Sequence, residues 1–258
     1  MKKYLFIALA GILALGACSQ LEDNQNTPRQ MSFTAGFGDG VQTRATLNGS
    51  TKDVSFDAGD KISIFSTLNA NKPFTTTAGG ASATFTGEAA DDGKFYAVYP
   101  YTDGLILDGT TIKGVVIPSM QSDAASSSCG WDPSAPIAYA TTTDASLAFH
   151  NACALLKITN NIAASAIIMI TSSNTLTGTF DLNTSTGALS ETDSHSLAIV
   201  DGVSSGKTIY IAIAPGKKEN FKASVISSSG GKKKEPTTAP TFEAGKIYDL
   251  GSYNLGSL

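Results

Sequence analysis

Three cysteines offer the most chemistry in this 258-residue chain. Cys18 follows Leu15-Gly16-Ala17, at the end of an apolar run from Leu5 to Leu15 that Lys2 and Lys3 precede. A basic start followed by about 7–15 apolar residues is a secretory signal peptide. The run is too short for a membrane span, which takes about 20 residues. Small residues before Cys18 resemble a lipobox, in which the thiol takes a diacylglycerol and residues 1–17 are removed. Each buried methylene contributes roughly 0.8 kcal/mol, and more than one acyl chain makes anchoring stable. The expected product is an envelope lipoprotein held at the outer membrane. That leaves Cys129 and Cys153. In an oxidising compartment they pair, closing a loop of about 25 residues worth on the order of 3 kcal/mol, or Cys153 stays a free thiol buried in its apolar strand.

The remaining polar residues do not assemble a catalyst. The two histidines, His150 and His195, are far apart in sequence and give no zinc case. His150 stands in an apolar strand, where a hydrogen-bonded structural role is expected. The pairs Asp57/Asp60 and Asp91/Asp92 adjoin glycines and suit turns better than acid–base work. Gly36, Gly38 and Gly40 precede no helix whose N-terminus could hold phosphate. No Gly-x-Ser-x-Gly elbow occurs. A net charge of -4 supplies no field for nucleic acid. The single basic run, Lys232-Lys233-Lys234, lies between Gly230-Gly231 and Pro236 and reads as a solvated hairpin tip. Trp131, Tyr96, Tyr99 and Tyr101 are candidates for stacking on a sugar, although aromatics on strands more often pack in cores. No enzyme, metal, cofactor or nucleic-acid partner is therefore expected.

The elements that position these residues are strands. Ser19 to Gln30 is polar and aperiodic, so residues 18–30 read as a lipidated tether. Met31, Phe33, Ala35 and Phe37 alternate with Ser32, Thr34 and Gly36, the pattern of a half-buried strand. Val41–Leu47, Lys61–Phe65, Lys94–Tyr101, Leu105–Leu107 and Thr111–Ile117 follow, the last two flanking an Asp-Gly hairpin turn. Met120–Asp144 carries Pro133 and Pro136 without periodicity and reads as a boundary or long connection. Beyond it come Leu147–Thr159, Ile167–Thr171, Thr177–Leu182, Leu197–Val200, Thr208–Ala214, Phe221–Ile226 and Lys246–Leu250. This predicts an all-β protein of two tandem β-sandwiches, residues 31–143 and 144–258, with about seven strands each.

Several segments, in order, resemble the fimbrillin family of Bacteroidales lipoproteins, which includes type V pilins. They are Asp57-Ala58-Gly59-Asp60-Lys61-Ile62, Tyr96-Ala97-Val98-Tyr99-Pro100-Tyr101, Ile117-Pro118-Ser119-Met120-Gln121 and Phe149-His150-Asn151-Ala152-Cys153-Ala154-Leu155-Leu156-Lys157-Ile158. Later come Leu176-Thr177-Gly178-Thr179-Phe180 and Phe242-Glu243-Ala244-Gly245-Lys246-Ile247-Tyr248. Phe56 departs from the tryptophan expected before the Ala-Gly-Asp turn.

The resemblance implies transthyretin-like sandwiches, export as a lipoprotein, and cleavage after an arginine by a trypsin-like protease. Arg44-Ala45 is the matching bond, so Met31, Phe33, Ala35 and Phe37 would form the strand that is lost. Another pilin subunit's donor strand would refill the slot. The donor positions are Tyr248, Leu250, Tyr253 and Leu255, with a slip at Gly251-Ser252. The implied location is the cell surface, then the fimbrium after processing, with a host or bacterial surface ligand as a further partner. A non-polymerising, glycan-binding lipoprotein using Trp131 is the alternative.

Overall fold

The computed structural model describes residues 27–38, 55–123, 130–162 and 165–254. Short alternating runs punctuated by Gly, Asx and Pro form strands, as the pattern dictates, and no helix occurs among the described residues. The expected all-β class holds. The expected strand Val41–Leu47 lies outside the described residues.

Seven strands close a barrel. They are β1 (Arg29–Phe37), β2 (Lys61–Phe65), β3 (Lys72–Thr76), β4 (Ser82–Ala89), β5 (Phe95–Tyr99), β10 (Ala138–Thr142) and β11 (Ser146–Asn151). Their spatial order is β1-β11-β10-β5-β2-β3-β4, with β4 returning to β1. The interior is aromatic: Phe33, Phe56, Phe74, Phe85, Phe95, Tyr99 and Phe149 are all buried there. Asp60 sets the turn into β2. Its carboxylate accepts the Asp57 N–H at 3.0 Å and the Tyr99 hydroxyl at 2.7 Å, so this acidic pair serves a turn. Asp91 and Asp92 do the same, accepting the N–H groups of Gly93 and Lys94.

The other strands build three larger sheets and a small ribbon. β6 (Ile106–Asp108) and β7 (Thr111–Ile117) form the expected hairpin, with Gly109 at φ 63°. They join β14 (Thr177–Asn183) and β15 (Leu189–His195) in the order β15-β14-β7-β6. β9 (Gly130–Trp131), β12 (Ala154–Asn160), β17 (Thr208–Ile213) and β22 (Ile247–Tyr253) form a sheet ordered β22-β12-β17-β9. Facing it are β8 (Met120–Gln121), β13 (Ala166–Thr171), β16 (Leu197–Val203), β19 (Lys222–Ser227) and β20 (Gly230–Lys234), ordered β20-β19-β13-β16-β8. β18 (Gly216–Lys217) pairs with β21 (Thr241–Phe242).

The sheet holding β12 and β17 is covered on both faces. Leu156, Ile158, Ile209 and Ile211 point into one core with Ile168, Ile170, Val200 and Val225. Leu155, Tyr210 and Ala212 point into another, shared with Phe65, Tyr96 and Val98 from the barrel and with Ile112 and Phe180. Double-sided burial explains the near-continuous apolar runs of these strands.

The predicted boundary at residue 143 is not where the sheets separate. β10 and β11 straddle it, yet both belong to the barrel, while β7, β8 and β9 precede it and pair with β14, β16 and β17. The chain therefore leaves the barrel after β5 and returns for β10 and β11. The stretch around Pro133 and Pro136 resembles a linker because Trp131 stands on a two-residue strand and β10 buries the small Ala138 and Ala140, so no large apolar alternation shows. The single segment expected over Leu147–Thr159 is also two strands. At Ala152-Cys153 the chain passes from barrel to sandwich, and the Asn151 side chain accepts the Cys153 N–H at 3.1 Å.

Candidate functional site

β1 fills a slot in the barrel wall. Eight of its residues face β4 in antiparallel register, from Arg29 opposite Ala89 to Gly36 opposite Ser82. On its other side only Thr34–Phe37 pair, parallel to Ser146–Phe149 of β11. The Thr34 N–H donates to the Ala145 carbonyl at 2.8 Å and that of Gly38 to the Phe149 carbonyl at 3.0 Å. The first half of β1 thus has one strand neighbour and the second half two.

Alternation sends Phe33 and Ala35 fully inside, with Met31 and Phe37 half-buried, and leaves Ser32 and Thr34 outside. Phe33 meets Phe95 and Phe74 edge-on at 5.0 and 5.4 Å between ring centroids. Phe37 stacks on Phe56 at 4.9 Å and lies 6.1 Å from Phe149. Phe56, the residue standing in place of a tryptophan, exchanges backbone hydrogen bonds with Gly80 at 2.8 and 2.9 Å. A Cβ at Gly79 would fall 2.5 Å from the Phe56 carbonyl oxygen, so only glycine allows this approach. Burying an aromatic or aliphatic side chain contributes roughly 1.5–3 kcal/mol. An empty β1 slot would expose several such faces together with unpaired backbone groups on β4 and β11.

Tyr248, Leu250 and Tyr253, three of the four expected donor positions, lie on β22, which runs parallel to β12 along one sheet edge. Tyr253 is buried in the sandwich core and the other two are half-buried against it. The slip expected at Gly251-Ser252 is a bulge, with Gly251 at φ 79° and the register shifting opposite Lys157 and Thr159. Lys157 pairs with Asp249 at 2.7 Å, and its hydrogen bond holds the Asp249 carboxyl below the usual range. Lys234 lies 4.6 Å over the Tyr253 ring and donates to the Leu250 carbonyl. β22 therefore completes its own molecule's sandwich, as the segment Lys246–Leu250 was expected to do, and extends it to Tyr253.

Cys18, Arg44, Ala45, Cys129 and Leu255 lie outside the described residues. Cys153 is a free, fully buried thiol, pushed up to about 12 by burial; a thiol in that state is unreactive. His150 stands on the exposed outer face of β11, with its ring 5.9 Å from that of Tyr139, and not on the strand's buried apolar side. His195 is exposed at the end of β15. The lysine run is an exposed edge strand paired to β19, and the hairpin tip sits just before it.

Three of the four sugar-stacking candidates are corrected, while Tyr101 is half-buried. Trp131 is 5% exposed, and Tyr96 and Tyr99 are equally enclosed, because each faces one of the two cores that meet along β5. Among the described residues, no group of three or more His, Cys, Asp or Glu side chains could hold a metal ion.

A family model described as fimbrillin-like matches residues 43–252. No curated protein matches the sequence. The fold is shared with a candidate cell adhesion protein from Bacteroides uniformis, at TM-score 0.56 and 16% identity, over 86% of this chain and 92% of that one. It is also similar to a candidate cell adhesion protein from Bacteroides ovatus, at TM-score 0.54 and 14% identity, over 87% and 92% of the two chains.

Proposed function

Because the chain belongs to the fimbrillin-like family, we propose that it is a structural and adhesive subunit of a type V-like fimbria, assembled by strand exchange after proteolysis. The observation that carries this reading is β1, a strand lining a closed aromatic core and continuous with the segment containing Arg44. Lipid on Cys18 holds the exported chain at the outer membrane. A trypsin-like protease then cuts between Arg44 and Ala45, and β1 leaves. The family match begins at Thr43, beyond β1, which supports treating β1 as separate from the unit that persists.

The vacated slot is apolar along its floor and has hydrogen-bonding edges on β4 and β11, so an extended strand from another chain fits it by β-augmentation. The C-terminal strand of a neighbouring subunit supplies the plug through Tyr248, Leu250, Tyr253 and Leu255. Because donor and slot are different surfaces, the contact is heterologous and does not close on itself, so filaments result. Adhesion at the cell surface is supported by the descriptions of the two structural relatives. In this reading the protein performs no catalysis, and Arg44 is a protease substrate.

The test is the N-terminal residue of protein recovered from surface fimbriae. Ala45 is the expected result. Polymerised material that still begins at lipid-bearing Cys18 would refute processing as the trigger.

A further inference from the structure

The outer face of the five-stranded sheet breaks the pattern of the molecule. Other solvent faces are mostly Ser, Thr and charged residues, such as Ser32 and Thr34 on β1 and Glu191, Thr192 and Asp193 on β15, and the exposed Ile106 and Val116 on β6 and β7 are opposite Lys113 and Thr179. Here Met120, Ile226 and Ile167 are 71%, 43% and 41% exposed, half of the exposed large hydrophobics among the described residues. They adjoin one another through the register. Ile167 is opposite Ile226, Met169 opposite Ile199, and Ile199 opposite Met120. Facing residues on adjacent strands share a side of the sheet, so these five form one apolar band across four strands.

Charge sits at opposite corners of this face. Asp201 is exposed beside the β16 bulge, next to Ile167. Lys222 lies diagonally across, opposite Thr171 on the other end of β13, and shares Glu235 with Lys233. Met169 is between the two corners.

We propose that this face is a self-complementary contact that pairs two copies of the chain. A twofold axis in the plane between two stacked faces, passing at Met169, lays Asp201 of each copy over Lys222 of the other. The apolar band then closes in the middle, with flexible Met169 and Met120 side chains filling irregular gaps. Four strands of five to seven residues about 4.8 Å apart, with the two-residue β8 along one edge, give a face of roughly 20 by 20 Å. That is about half the ~800 Å² per partner of a standard interface, so the pair is weak and reversible.

Sedimentation of the untrimmed chain from about 1 to 500 μM tests this, because strand exchange cannot occur while β1 is in place. A concentration-dependent monomer–dimer equilibrium is expected. Ile167→Thr with Ile226→Thr keeps strand-favouring β-branched residues and should weaken dimerisation at least tenfold without changing the far-ultraviolet circular dichroism. Lys222→Glu and Asp201→Lys should each weaken it about three- to fivefold, and the double reversal should restore it. A chain that stays monomeric throughout, or a double reversal no tighter than the single variants, overturns the proposal. Either failure leaves the strand-exchange reading untouched, since that reading concerns the trimmed chain.

Discussion

β1 and β22 are both terminal strands added in parallel to consecutive strands, β1 to β11 and β22 to β12, but they are held in different ways. β1 sits inside a closed wall, with β4 along its whole length and β11 along its second half. Removing it opens a barrel. Among the described residues β22 is an edge strand with one neighbour, and removing it leaves the remaining ladder of that sheet intact. Side chains repeat the contrast: β1 drives Phe33 and Ala35 completely inside, while β22 buries only Tyr253 fully. In the proposed strand exchange, β1 would be the plug whose loss creates a slot and β22 the edge strand that leaves without opening a barrel.

The comparison breaks most easily at Phe33. Replacing it with alanine should cost about 3–5 kcal/mol in a urea titration, as for a large aromatic in a closed core. Leu250→Ala, half-buried at an edge, should cost well under half as much. If Leu250 proves the costlier site, β22 is the locked strand and the roles reverse. Gly251→Ala comes next, because the bulge needs φ near +79° and a Cβ there would lie 3.1 Å from Lys234 Nζ. A left-handed residue with a side chain costs roughly 1–2 kcal/mol, and the loss should appear as faster hydrogen exchange in β22 without a change in β1.

The smallest effect is electrostatic. The Lys157 hydrogen bond lowers the Asp249 carboxyl, so its stabilisation is complete above the ordinary carboxylate range. It is lost as pH falls through the lowered value. After correction for the intrinsic slowing of amide exchange in acid, the protection of β22 amides should fall on acidification more than that of β1 amides, and Lys157→Met should remove the difference.

β1 was legible in the sequence because one of its faces is buried and the other wet, so Met31, Phe33, Ala35 and Phe37 stand out by alternation. The Asp-Gly hairpin between β6 and β7 and the aspartate turns were legible because turn chemistry is local. What was hidden is pairing. β4 offers Phe85 as its single large apolar residue and β10 offers alanines, so neither strand announces that it closes the barrel. The split between β11 and β12 is masked because the alternating β11, with Leu147 and Phe149 inside, runs through buried Ala152 and Cys153 straight into the buried β12, leaving one apolar run from Leu147 onward. Trp131 looked available for a ligand because exposure is set by tertiary packing, and β9 lies beneath the shared core.

The most direct measurement is light scattering on the chain beginning at Ala45, with and without a synthetic peptide spanning Arg29 to Gly38. A ladder of species larger than dimers that survives dilution, and that the added peptide suppresses, is the predicted result. A trimmed chain that never exceeds a dimer at any concentration would contradict the claim that β1 is a replaceable plug.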